Sequence, residues 1–310
     1  MSKKIISLAA GMAMIGGVAM SDTPKVAADI SPVHSLVSRV MLGVGTPDLI
    51  VQAGASPHGY TLRPSEAKAL QDAQMVFWMG ESLSPWMEGA LDTLSSDATI
   101  ITLLERDETI LMEFREGALF EEHDHDDHGD EKHDDHGHDS YDPHAWLSPD
   151  NAKIWLNLIA SQLSIVDPEN AGTYFANAAA ARSEIEALTT EVNSLLEPVR
   201  GKKFIVFHDA YQYFEKAFDL SASGAISLGD ASKPSPARIA EIQGRIQEES
   251  IDCVLSEPQF NKGLVATVMA GSKAKTNVID PLGVGLKPGP DLYSELIRNM
   301  TKTLVDCFES

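Results

Sequence analysis

Ten histidines stand in this chain of 310 residues, and their placement splits them into two groups. Six of them (His123, His125, His128, His133, His136 and His138) crowd residues 121–139, EEHDHDDHGDEKHDDHGHD, with ten acids and one lysine. The other four, His34, His58, His144 and His208, lie far apart. His208 directly follows the apolar run Phe204-Ile205-Val206-Phe207, and His58 ends the turn Gly54-Ala55-Ser56-Pro57. His144 sits in Asp142-Pro143-His144-Ala145-Trp146-Leu147, and Asp280 follows Asn277-Val278-Ile279. Three imidazoles and one carboxylate satisfy a tetrahedral Zn2+, with metal–nitrogen distances of about 2.0–2.1 Å. Mn2+ favours more oxygen and Cu(I) favours thiolate or thioether, so the set leans to zinc. Each histidine taken singly is equally well read as a hydrogen-bonded structural imidazole. His34, near the start of a helix, is read that way.

Such a site needs elements that bring distant residues together. Apolar runs at 25–30, 48–52 and 75–79 read as strands, separated by helices through His34 to Met41 and from Pro64 onward. Further strands are expected at 204–207, 252–255 and 277–279, and a closing helix at about 292–308. Strands alternating with helices mean α/β architecture with parallel sheets. Ligands of open α/β sheets bind just outside the carboxyl ends of the strands, where His58, His208 and Asp280 fall. Between the two strand-rich halves, a helix is expected at about 149–166 and a longer one at 168–197. Asp167 stands at the N-cap of the longer helix and Pro168 at its first position. Its length would be about 45 Å. The expected organisation is an N-terminal lobe over 22–166, a linking helix over 167–199 and a C-terminal lobe over 200–310, with the metal in the cleft between the lobes. Residues 121–139 contain no apolar side chain and are expected to form a mobile loop in the first lobe.

Lys3 and Lys4 precede an apolar run over 5–18, and Ala19-Met20-Ser21 follow. This is the pattern of a secretory signal peptide over 1–21, with cleavage after Ser21. No cysteine lies near its exit for a bacterial lipid anchor, which points to the periplasm. In that oxidising compartment Cys253 and Cys307 are expected to pair, the alternative being two free thiols. Two cysteines are too few for a zinc module of paired CxxC motifs. The formal charge is −22, from 24 Lys+Arg against 46 Asp+Glu. That balance disfavours nucleic acid and anionic membranes, which need a basic footprint. It suits a protein that meets cations, and the acidic His-rich loop would bind metal weakly as an auxiliary store.

The local sequences around the four expected ligands resemble those of the metal-binding proteins of bacterial zinc and manganese ABC importers. Gly54-Ala55-Ser56-Pro57-His58 with Leu62-Arg63-Pro64-Ser65 resembles their first ligand motif, and Asp142-Pro143-His144-Ala145-Trp146-Leu147 the second. Phe207-His208-Asp209-Ala210-Tyr211 resembles the third and Asp280-Pro281-Leu282-Gly283 the fourth. Glu257-Pro258-Gln259-Phe260 matches as well, and an acidic His-rich loop before the second ligand is similar to the zinc (ZnuA-type) branch. The resemblance covers the mature chain with its motifs in order. It implies two α/β lobes bridged by a rigid helix, with His58, His144 and His208 on zinc and Asp280 as fourth ligand or nearby carboxylate. The manganese branch usually carries an acid at the third position, so His208 favours zinc. Some zinc members carry an acid just after the first histidine, where this chain has Gly59. The cysteine pair resembles a disulfide of that branch. The implied function is capture of Zn2+ by a monomeric periplasmic binding protein, which delivers it to a permease driven by an ATPase. A manganese-binding protein of the same type is the alternative. A zinc hydrolase is the weaker reading, since the chain has no HExxH motif, and so is a surface adhesin.

Overall fold

The computed structural model describes residues 23–115, 117, 119–120, 141–227, 229, 234–260 and 262–309. The expected signal peptide over 1–21 and the whole His-rich loop over 121–139, with its six histidines, lie outside the described residues. Short runs of β-branched and aromatic residues form two parallel sheets. The first contains β1 (Val26–Ala28), β2 (Asp48–Leu49), β3 (Met75–Trp78) and β4 (Thr99–Thr102), in the order β2-β1-β3-β4. The second contains β5 (Phe204–His208), β6 (Ala225–Ser227), β7 (Cys253–Ser256) and β8 (Lys275–Val278), in the order β6-β5-β7-β8. Both sheets thus have the same topology. Their central strands pair with Val26 opposite Met75 and Phe204 opposite Cys253. Strands β3 and β5 are buried along their whole length, as expected for parallel strands covered on both faces.

Helices cover the sheets: α1 (Ser31–Val40), α2 (Pro64–Asp72), α3 (Pro85–Leu94) and α4 (Pro149–Val166) in the first half. After the long α5 (Ala171–Leu196) come α6 (Gln212–Phe218), α7 (Pro236–Glu248), α8 (Lys262–Val268) and α9 (Leu292–Glu309). The buried residues of α5 are Tyr174, Ala178, Ala181, Ile185, Leu188, Val192 and Leu196. Steps of three and four put them on one stripe, which packs on α1 and α4 from one half and on α9 from the other. Salt bridges from Arg39 in α1 to Glu184 and from Arg298 in α9 to Glu191 hold both halves to this helix. Two α/β lobes joined by one long helix are therefore present. The start of that helix differs from the expected cap. Residues Pro168–Asn170 form a 3-10 turn, and the Asp167 carboxylate accepts from the Tyr174 hydroxyl and the Asn170 side-chain amide instead of backbone amides.

A disulfide joins Cys253 at the start of β7 to Cys307 near the end of α9, with Cα atoms 5.9 Å apart. Closing a loop of 54 residues stabilises the fold by about 4 kcal/mol in the chain-entropy picture. It anchors the terminal helix beneath the second sheet. Among the described residues no helix is long and apolar enough to cross a membrane.

Candidate metal centre

The turn after β2 carries the first histidine. The Pro57 carbonyl accepts hydrogen bonds from the Ser84 hydroxyl (3.1 Å) and the Trp86 indole (2.7 Å) at the start of α3. Downstream, Glu66 takes the Arg63 amide and the Tyr60 hydroxyl, which fixes the entry into α2. His58 is held between these two anchors and remains half-buried.

The second histidine precedes a 3-10 turn, Ala145–Leu147, which leads into α4. Its Nδ1 lies 2.6 Å from Asp142 Oδ1, which also accepts the His144 backbone amide at 2.9 Å. Asp142 is itself gripped from the other lobe. Gln212 Nε2 donates to its Oδ2 at 2.7 Å, and the Tyr213 hydroxyl donates to its backbone carbonyl at 2.9 Å. Burial favours the neutral acid at Asp142, yet the His144 ring, its backbone amide and the Gln212 amide hold the Asp142 pKa below the ordinary range. Trp146 packs on the His144 ring with centroids 5.2 Å apart, and its indole donates to the Pro281 carbonyl.

The third histidine ends β5. His208 Nδ1 lies 2.6 Å from Glu257 Oε1, just beyond the neighbouring strand β7. Asp209, the next residue, shares Arg115 with Glu215 in a buried ion cluster that fixes the turn after the strand. His144 and His208 are only 5% and 3% exposed.

With each Nδ1 proton donated to a carboxylate, the opposite Nε2 of each ring presents a lone pair as an acceptor. The two Nε2 atoms face each other at 3.4 Å. Two acceptors at that separation repel unless a cation or proton lies between them. His58 completes the cluster: one ligand atom from each of the three rings lies within 4.8 Å of the others. The cavity between them, lined also by Pro57, Trp146, Gln259, Pro281 and Leu282, measures about 10 Å³. It has room for an ion or one water and none for an organic substrate. The larger hollows, such as one of about 460 Å³ beside Lys202 and Lys273, lie away from the histidines.

Of the four expected ligands, the structure brings three together. Asp280 is not in the cluster; its Oδ1 accepts the amides of Leu282 and Gly283 and its Oδ2 that of Val284. His34 is apart from the cluster, with Nε2 at 3.0 Å from the Pro47 carbonyl and Nδ1 near the Ser38 hydroxyl. Sequence reasoning missed the carboxylates that orient the ligands. Asp142 lies two residues before its histidine, a spacing that could have suggested the role; Glu257 is 49 residues from His208, and only the sheet pairing reveals it.

Comparison with known proteins agrees with this geometry. The family described as zinc-uptake complex component A, periplasmic, matches residues 26–307. The high-affinity zinc uptake system protein ZnuA of Brucella abortus is 44% identical over 303 residues, covering 91% of each chain. Its counterpart from Paracoccus denitrificans is 43% identical and covers 97% of this chain and 96% of its own. A crystal structure of ZnuA superposes with a TM-score of 0.75 at 22% identity, over 92% of this chain and 99% of that one. That likeness bears on the fold.

Proposed function

The chain belongs to the periplasmic zinc-uptake component A (ZnuA) family, and from that premise we propose that it captures Zn2+ and hands it to the permease of an ABC importer. The observation that carries this reading is the convergence of three imidazoles from three distant segments on one ion-sized cavity. The protein binds and releases; it performs no reaction on its cargo. Neutral nitrogen donors suit Zn2+ better than Mn2+, which argues against the manganese alternative. The cavity's size argues against hydrolysis.

Capture proceeds by displacement of hydration water from the ion by His144 and His208, already oriented by Asp142 and Glu257, with His58 closing from the first lobe. Metal competes with protons for the imidazoles, so affinity falls as the medium is acidified. The lobes comprise 22–166 and 200–310, with 167–199 as the stiff link, so lobe movement on binding is modest. The holo protein is a monomer that docks on the membrane permease, whose paired ATPase drives release. Asp280 remains a candidate carboxylate beside the ion, and the six loop histidines form weak auxiliary sites.

Calorimetric titration of the mature protein with Zn2+ at pH 7.5 tests this. One tight site is expected, which weakens at pH 5 and disappears in the triple variant His58→Ala, His144→Ala, His208→Ala. Undiminished tight binding in that variant would overturn the proposal.

A further inference from the structure

Three imidazoles leave a tetrahedral Zn2+ one coordination position short. Both oxygens of Asp280 already accept backbone amides of their own loop. Another side chain with an uncommitted oxygen lines the cavity. Gln259, two residues beyond Glu257, lines it together with His58, His144 and His208. The orientation of its amide follows from its partner. Gln259 Nε2 donates to Glu257 Oε2 at 2.8 Å. A carboxylate only accepts, so the NH2 group must face Glu257 and the carbonyl oxygen must be the other atom. That oxygen, Oε1, is shielded from solvent and accepts no hydrogen bond from any described residue. A buried amide carbonyl without a donor is costly and uncommon, so it requires an explanation.

We propose that Gln259 Oε1 serves the fourth coordination position of the bound ion, as a neutral oxygen that either bonds Zn2+ or accepts a hydrogen bond from the zinc-bound water. This rests on the zinc reading above and adds a residue to it. Glu257 then has two duties, each oxygen holding one of the groups that face the metal. Oε1 takes His208 Nδ1 and Oε2 takes the Gln259 amide. The clamp fixes an imidazole nitrogen and an amide oxygen relative to each other before metal arrives. A neutral oxygen in that place leaves the site with no anionic ligand of its own, which favours release of the ion to a partner over permanent retention.

The test uses Zn2+ for affinity and Co2+ as a spectroscopic stand-in whose visible bands report coordination. In Gln259→Leu, zinc affinity is expected to fall about tenfold and the Co2+ bands to change in position and intensity. The thermal midpoint of the metal-free protein should change little, because the loss of the amide donor to the buried Glu257 Oε2 is offset by the removal of a buried carbonyl without a donor. A merely structural glutamine would leave the bands alone, whatever its effect on that midpoint. Asp280→Asn, which keeps acceptors for its loop, is run in parallel. If its Co2+ bands change and those of Gln259→Leu match the unsubstituted protein, the fourth position belongs to Asp280 and the inference is overturned. Failure of the unsubstituted protein to take up Zn2+ would overturn the functional reading itself, a different result. High-resolution density for the zinc complex separates direct bonding from the water-linked form.

Discussion

The two sheets share one strand order, yet they use the same crevice for different ends. In an order such as β2-β1-β3-β4 the strand order reverses between the two central, parallel strands, and ligands collect at their carboxyl ends. In the first lobe that place is filled by Asp29, just beyond β1. Its carboxylate accepts the amides of Ile30 and Met79, each at 2.7 Å, and so ties β1 to the end of β3. In the second lobe the place is filled by His208 and Glu257, which tie β5 to the end of β7 through an imidazole. Each crevice contains a carboxylate bridging two central strands. What differs is the donor. Backbone amides consume the Asp29 oxygens and leave nothing to bind with, whereas an imidazole on Glu257 keeps its second nitrogen for the cleft. The first lobe therefore supplies its ligand from the outer loop after β2, at His58, and the second supplies its ligand from the sheet itself.

If that contrast is right, zinc affinity should respond to the second crevice and ignore the first. His208→Ala should have the largest effect, a loss of about a hundredfold or more, since one of three nitrogen donors is gone. Competition with a chromogenic chelator reads it, and a loss of less than tenfold would break the comparison. Glu257→Gln should follow at about ten- to a hundredfold, because an amide in that place no longer fixes the His208 tautomer. Asp142→Asn should match it for His144. Similar values for these two variants would place both imidazoles under the same control, although only His208 comes from a sheet. Deleting residues 121–139 should leave the tight site within about threefold and remove only weak sites, as counted by calorimetric stoichiometry. Loss of the tight site would mean that the loop helps to build it.

The site was more legible in the sequence than the sheets that hold it. His58, His144 and His208 could be picked out because each stands beside an apolar run or a turn of recognisable composition. Strands β4 and β6 were not anticipated. Thr99–Thr102 is partly exposed, and Ala225–Ser227 is three residues long, so neither offers a hydrophobic run that separates it from a loop. Strand β8 was expected at 277–279 and lies at Lys275–Val278, because its pairing with β7 is set by backbone register and its side chains are mostly exposed. The orienting carboxylates were illegible for a different reason. An acid that binds an imidazole and an acid that faces solvent look alike until the topology brings β5 beside β7. The role of Gln212 in holding Asp142 depends on contact across 70 residues of chain.

The smallest expected effect on zinc is that of Asp29→Asn, within about threefold, since Asp29 is not among the clustered groups. Its effect on stability should be larger and should depend on pH. Asp29 is wholly buried, and burial pushes its pKa up to about 7, although the amide donors pull the other way. An acid whose pKa is raised in the folded state binds its proton more tightly there than in the unfolded chain. Its contribution to stability is complete below the unfolded value of about 4, and it is lost as pH rises through about 7. A shift of this size corresponds to a few kcal/mol, roughly, across that window. Urea unfolding of the metal-free protein from pH 4 to 8 should therefore show the difference between the unsubstituted protein and Asp29→Asn shrinking as pH rises. The asparagine keeps a neutral side chain in the crevice throughout, so its own curve lacks this component. Parallel curves would mean that the amides of Ile30 and Met79 stabilise the carboxylate enough to cancel the cost of burying it. The first crevice would then hold a fixed negative charge about which the zinc site is indifferent.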